Sequence, residues 1–478
     1  MCIFVAIFPI IRDQFYKIMS DHIRLRKGLT IPLKGDAKNH ITKIITPDKV
    51  AVKPTDFRSL NAKLLVKEGE KVEAGTPVLT DKRRPYILIS SPSSGTVKEI
   101  VRGEKRKLLE IVIECDKKNE YREIAVPNYR NASKSEIVKA LIDSGLWSAF
   151  KQRPYGIIPD PEVEPKAICI SGFDSSPLGP DLDYALRSDI ESIQVGVDMI
   201  SKLTQGGVHL GLHASHYASS PFHRLDKVII HTFDGEHPAG NVGVQIHHIS
   251  PMNKGEVAWT LDMYSLAAIG RLFIKGIYDV RRVIAITGPR AKNPGYIETL
   301  PGISLMEIRE FADNMHEEPV KEKILPIRFI SGNVLTGEDV GKEGYLGFFH
   351  HQVTLLSEGK YFEMFGWIKP FRLKKFSFSH AYLSWLFPKR RYSADTNLNG
   401  GERALVMTGV YEKVLPMDIY PMYLLKAIMA EDIDKMEQLG IYEVIEEDLA
   451  LCEYVCPSKT EIQEIVSNGI DLMIKEMS

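Results

Sequence analysis

Two cysteines near the end of the chain carry the spacing of cluster ligands. Cys452-Glu-Tyr-Val-Cys456-Pro457 reproduces the last two ligands of the bacterial iron–sulfur run C-x2-C-x2-C-x3-C-P, in which thiolates wrap the irons. The first two ligands would fall at positions 446 and 449, which are Glu446 and Leu449. With half the set missing and no second run, Cys452 and Cys456 read as a relic of a cluster rather than as ligands.

The dinucleotide fingerprint Gly-x-Gly-x-x-Gly, which brings backbone N–H groups against a pyrophosphate, is absent. The nearest glycine-rich loop runs from His237 to Gly243. With His237, Gly240 and Gly243 it is a possible ligand loop for an anion or a quinone headgroup, set against a plain structural turn. Eight of the fourteen histidines lie between His209 and His248. His209 and His213 alternate with apolar residues and so occupy the polar face of a strand. His247 and His248 are adjacent and would face opposite ways if that segment is a strand. Neither HExxH nor CxxC accompanies them, so no metal is expected.

From Phe365 to Asn397 aromatic residues (Trp367, Phe371, Phe376, Phe378, Tyr382, Trp385, Phe387, Tyr392) mix with bases, and no acid lies between Glu363 and Asp395. That mixture suits a membrane interface or a docking surface for a partner protein, against a local core with a solvated rim. Elsewhere 61 Lys and Arg balance 62 Asp and Glu, which excludes a chain-wide nucleic-acid footprint. Five cysteines in 478 residues make no disulfide framework, so a reducing compartment and a soluble cytoplasmic chain are expected. The apolar start, Met1 to Ile11, is too short to span a bilayer and lacks the basic region and cleavage site of a signal peptide. Residues 1–21 are expected to be a leader or a mis-called start, with Met19 opening the ordinary sequence.

These residues need elements to hold them, and the length allows roughly three domains or more. Residues 22–116 show period-2 stretches with Gly69, Gly75 and Gly95 placed for turns, the pattern of a barrel-sandwich hybrid of the biotinyl and lipoyl kind. A carrier's modified lysine would be Lys82, but Asp81-Lys82-Arg83-Arg84 does not resemble a carrier hairpin, and a scaffold is expected. Residues 128–287 read as a Rossmann-like α/β domain: a capped helix from Ser133 to Gly145, with Ser133 and Ser135 as cap candidates, then buried-strand runs at Ala167–Ser171, Val208–Leu212, Lys227–His231 and Val283–Thr287. Leu261 to Ile274 is a helix between strands. Residues 288–365 suggest a small β-grasp module, 366–399 the docking segment, and 400–478 a helical domain with helices at Met422–Leu439, Glu446–Cys452 and Thr460–Met477. The fold class is thus multidomain α/β.

Six stretches in order resemble the NqrA family, one of the subunits of the sodium-translocating NADH:quinone oxidoreductase. They are Ile23–Leu29, Leu141–Trp147 with Arg153-Pro154, Phe233–Gly240, Ile330–Gly337, Lys413–Asp418 and Glu447 to Pro457. The end departs from the family's Gly-Lys-Tyr-Glu-Tyr-Gly continuation, reading Ser458-Lys-Thr-Glu. The β-grasp module is accordingly of the soluble-ligand-binding type (SLBB-like).

The resemblance implies a kinship with the RnfC component of the Rnf complex and with the NADH-binding component of respiratory complex I, whose flavin loop is replaced here by Leu146 to Tyr155. It implies a quinone-binding component with ubiquinone or menaquinone as ligand and nothing covalently bound. Flavin and iron–sulfur centres would sit on the partner proteins of a six-component Nqr complex that couples NADH oxidation to Na⁺ export. The chain would dock on the membrane-embedded NqrB at the cytoplasmic face of the bacterial inner membrane, as a peripheral component without transmembrane helices and with no catalytic residue of its own. A quinone needs an aromatic slot and a carbonyl donor. Trp147, Phe150 and Tyr155 are the expected slot, Arg153 the donor, and Ile45 to Val52 the facing wall. The rival readings are an Rnf-type flavin and iron–sulfur electron-transport protein, and a carrier or purely structural docking protein.

Overall fold

The structure, a computed structural model, describes residues 21–312, 326–359, 361 and 372–477. The expected leader falls outside these apart from Asp21, as do residues 366–371 of the docking segment. Among the described residues the strands form two six-stranded sheets, one four-stranded and one three-stranded.

In chain order, β1 (His22–Arg24) and β2 (Ile41–Ile44) precede the sandwich strands β3 (Lys49–Val52), β4 (Ala62–Leu64), β5 (Lys71–Val72), β6 (Pro77–Asp81), β7 (Leu88–Ser90), β8 (Gly95–Arg102) and β9 (Leu108–Cys115). The orders β3-β9-β8-β5 and β4-β6-β7 enclose Val50, Val78, Leu79, Ile87, Ile111 and Ile113. Gly69 and Gly75 turn with positive φ as expected, but Gly95 opens β8, where a Cβ would stand 2.1 Å from the Glu114 carbonyl oxygen. The close strand approach, not a turn, requires glycine there. Lys82 is exposed, but the hairpin beside it is pinned: Asp81 accepts from the Arg84 side chain, which also donates to the Ile158 carbonyl at 2.7 Å.

The α/β unit contributes β10 (Lys151–Arg153), β11 (Ile168–Ser171), β12 (Val208–His213), β13 (Val228–Asp234) and β14 (Ala258–Thr260). Its sheet runs β1-β13-β12-β11-β14-β10 and is parallel except at β10, so β1 leaves the sandwich and edges this sheet. Helices α1 (Lys134–Ser144), α2 (Ile190–Ile200), α3 (Val242–Ile249) and α4 (Met263–Lys275) accompany it. Ser133 caps α1 in a box with Glu136; Ser135 lies inside the helix. Backbones of α2 and α4 nearly touch, since a Cβ on Gly270 would lie 1.7 Å from the Ser192 carbonyl oxygen. His247 and His248 lie on α3 rather than on a strand, and their rings meet edge to face.

The third unit holds β15 (Arg282–Thr287), β16 (Gly295–Thr299), β17 (Ile327–Ser331), β18 (Glu338–Asp339) and β19 (Gln352–Ser357), in the order β18-β17-β19-β15-β16-β2. Val283–Thr287, expected in the α/β sheet, is therefore a strand of this one. Its apolar run announces a buried strand but not the sheet that buries it.

The C-terminal unit is helical: α5 (Pro421–Met429), α6 (Ile433–Gln438), α7 (Glu446–Val455) and α8 (Ile462–Met477). The helix expected over Met422–Leu439 breaks after α5, and Asp432 caps α6 by accepting from the Lys435 N–H. This unit shares one apolar core with Leu25, Ile31 and Leu33 of the leading arm and with Phe233, Ala239 and Val244 at the carboxyl end of the parallel sheet. No helix among the described residues is long and apolar enough to cross a membrane.

Candidate functional site

The segment Leu146 to Tyr155 is positioned from both ends. Gly145 ends α1 at φ +85°, and a Cβ there would meet Ser90 Oγ at 2.6 Å, so the helix end sits directly on β7. The short turn Leu146–Ala149 then buries Trp147, and Phe150 follows it inward; neither has any exposure. Their rings pack with Trp259 at centroid distances of 5.2 to 5.8 Å, and the indole of Trp147 donates to the Pro159 carbonyl at 3.0 Å. The expected slot is thus a filled aromatic core. Tyr155, at φ +83°, keeps part of its ring exposed and meets Tyr442 edge to face.

Arg153, the expected carbonyl donor, is also buried and already committed. It donates to Asp448 at 2.7 Å and to Glu447 at 2.6 Å, both in the first turn of α7. Burial works against its charge, but the two carboxylates outweigh that and hold its pKa above the ordinary value. Arg58 makes a matching clamp from the sandwich, pairing with Glu446 of α7 and with Asp471 and Ser467 of α8. The four positions of the cysteine motif have other surroundings in the structure. Glu446 takes an arginine, Leu449 is fully buried, and the Cys456 thiol meets the Tyr411 hydroxyl at 3.0 Å. Burial pushes the Cys452 thiol up, and among the described residues no three or more His, Cys, Asp or Glu side chains converge as a metal site.

On β10, residues 151 and 153 share a face because side chains alternate along a strand. Lys151 is the other cation of this strand. Its ammonium lies 3.8 Å from the centroid of the Phe349 ring, and no carboxylate lies within ion-pair distance of it among the described residues. Phe349 packs with Phe348 and Phe57, with centroids 4.9 to 5.6 Å apart. Beside them His351 stacks on Tyr264 at 4.0 Å and reaches Asp262, the N-cap of α4, at 3.3 Å. Lys151, Asp262, Phe348, Phe349, His350 and His351 are half-buried, and Asp174 is exposed. Yet burial is the leading influence on the ionisable members: it lowers Lys151 and His351, lowers His350 to about 3, and raises Asp174. These part-exposed, desolvated groups lie together where the α/β and β-grasp units meet, Lys151 coming from the first and Phe349 from the second. In the sequence, the run Phe348-Phe349-His350-His351 is the signal that marks the cluster.

Of the expected facing wall, Ile45 to Val52, two residues border a cavity, but the expected slot residues do not share it. Ala51 and Val52 line a cavity of about 20 Å³ with Phe57, Tyr278 and Phe348, room for about one water; Trp147, Phe150, Arg153 and Tyr155 do not line it. A second, open cleft of about 220 Å³ lies on the β-grasp rim between Thr42, Lys43, Lys292, Asn293, Glu310 and Phe311.

In the expected ligand loop, His237 Nδ1 and the Gly240 N–H both contact Ser175 Oγ, at 3.1 and 2.8 Å. A Cβ on Gly243 would stand 2.5 Å from Asp448, so that glycine admits the Arg153–Asp448 clamp. The loop packs the helical unit against the strand ends. His209 and His231 stack across β12 and β13 and share a 2.9 Å contact, with His209 and His213 on the half-buried polar face as expected.

The order of units defines the class: a multidomain chain of barrel-sandwich, α/β and β-grasp units closed by a helical cap. Family models match it in that order, as the NqrA N-terminal barrel-sandwich hybrid domain over residues 23–116, the NqrA second alpha/beta domain over 132–278 and the NQRA C-terminal domain over 283–342. The NqrA component of the Na(+)-translocating NADH-quinone reductase of Rhodopirellula baltica is 35% identical over 95% of this chain and 98% of its own length. The proteins of the same name from Yersinia pestis and Photorhabdus laumondii are 35% and 36% identical over 92% of this chain and 96% of theirs. The chain belongs to the NqrA family of Na⁺-translocating NADH-quinone reductase subunits.

Proposed function

We propose that this chain is the quinone-handling peripheral component of a Na⁺-translocating NADH-quinone reductase. It docks on the membrane-embedded NqrB at the cytoplasmic face of the bacterial inner membrane, while flavins and iron–sulfur centres on other components carry electrons from NADH and the complex exports Na⁺. Family membership over nearly the whole chain supports the assembly. The observation that carries the quinone reading is the part-exposed Lys151 poised over the part-exposed Phe349 ring. An aromatic wall and one unshared donor are what a quinone headgroup needs. Trp147 and Phe150 form the rigid floor of the segment, Tyr155 is its part-exposed edge, and Arg153 positions β10 instead of donating to a carbonyl. Either ubiquinone or menaquinone satisfies these requirements.

The test uses the assembled complex with Lys151→Met or Phe349→Ala. Losing a charge-assisted hydrogen bond of about 1.5–3 kcal/mol raises the KM for quinone about tenfold or more, while NADH oxidation by an artificial acceptor is unchanged. An unchanged KM for quinone in both variants rejects the site. The double clamp on α7 favours a second reading, a purely structural docking protein, which predicts that unchanged result.

A further inference from the structure

The described part of the basic and aromatic segment presents a compact exposed tip. The short turn Leu383–Leu386 ends in Trp385, Leu386 and Phe387, which are 53%, 50% and 44% exposed. Apolar side chains of that size are ordinarily covered when they lie together. Pro388 follows, then Lys389, Arg390 and Arg391, all exposed. Arg391 is held by Asp36 at 2.9 Å and so ties the tip to the leading arm. Arg390 lies 5.7 Å from the Tyr392 ring centroid, and among the described residues no carboxylate pairs with Lys389 or Arg390. The base of the tip is firm: Tyr382 and Ser384 are buried, Ser384 Oγ accepts from the Ser377 N–H, and the Leu33 and Tyr392 backbones bridge.

We propose that residues 385–390 are a membrane-contact tip that binds the anionic lipid surface directly, with Trp385, Leu386 and Phe387 entering the headgroup boundary and Lys389 and Arg390 lying on the phosphates. Three large apolar side chains beside unpaired bases match an interface that is greasy at depth and negative at its surface. A folded protein partner would instead be met by shape and by paired charge, and among the described residues no carboxylate pairs with Lys389 or Arg390 to set their direction. The inference rests on the chain working at a membrane and is independent of the proposed quinone contact at Lys151 and Phe349.

Sedimentation of the purified full-length chain with vesicles tests it, comparing phosphatidylcholine alone with phosphatidylcholine containing phosphatidylglycerol. Binding is expected only to the anionic vesicles and is expected to weaken as salt rises. Lys389→Glu with Arg390→Glu should weaken it at least tenfold, since each base near such a surface contributes about fivefold. Trp385→Ser with Phe387→Ser should weaken it as well, with circular dichroism confirming that both variants fold. Equal binding to both vesicle types, or none to either, overturns the proposal. So does a charge variant that binds lipid normally but no longer assembles on native membranes, which would mark the tip as a protein-docking surface. Quinone affinity of the same variants stays unchanged in every case where the Lys151–Phe349 reading holds.

Discussion

Arg153 and Asp448 form a buried ion pair, 2% and 1% exposed, whose only satisfactory state is the paired one. Arg153→Ala strands the Asp448 carboxylate and should cost about 3–5 kcal/mol, lowering the urea midpoint, whereas Arg153→Met with Asp448→Leu should recover most of it. His237 gives a second residue-level expectation. It is 4% exposed, and burial lowers its pKa to about 4, against about 6.5 in an unfolded chain. Between those values the unfolded state binds the extra proton, so this contribution is complete above pH 6.5 and is lost as pH falls toward 4. Its full size is about 3 kcal/mol, and urea midpoints measured from pH 7 to pH 5 should fall less steeply in His237→Asn. Residue types in the segment from Leu146 to Tyr155 marked a place worth attention, but not which side chains face outward. Trp147 and Arg153 looked like ligands because aromatic and cationic residues serve cores and clamps equally well. Nothing local in the sequence marks Lys151, because the ring it faces, Phe349, lies far along the chain.

Elements with purely local causes were legible. The Ser133–Glu136 capping box and Gly145 bound α1 at both ends, and alternation set the polar face of β12. Placement that depends on distant partners was not: β1 and β2 each joined a sheet other than the one the strands after them form, β15 paired with β16 instead of entering the α/β sheet, and His247 and His248 took a helix. The crossing of α2 and α4 offers a test at this scale. Gly270→Ala puts a methyl 1.7 Å from the Ser192 oxygen and must spread the two helices, costing about 3 kcal/mol or more and lowering Tm. Gly401→Ala, with nothing within 4 Å, should leave Tm within error and serves as the control.

Across the whole molecule, the domain order follows from changes in sequence style, but the joints between units do not. Two arginines from different units grip the acidic first turn of α7, and this fastens the helical cap over the carboxyl ends of β11 and β13. The helix that carries the cysteine motif is a structural bracket, and elsewhere on the strand that supplies Arg153 a lysine faces an aromatic ring. Titration calorimetry of the purified chain with a short-chain ubiquinone tests that reading most directly. Saturable binding by the native chain, weakened about tenfold in Lys151→Met, is the predicted result. Absence of binding by the native chain, or equal affinity in the variant, contradicts it.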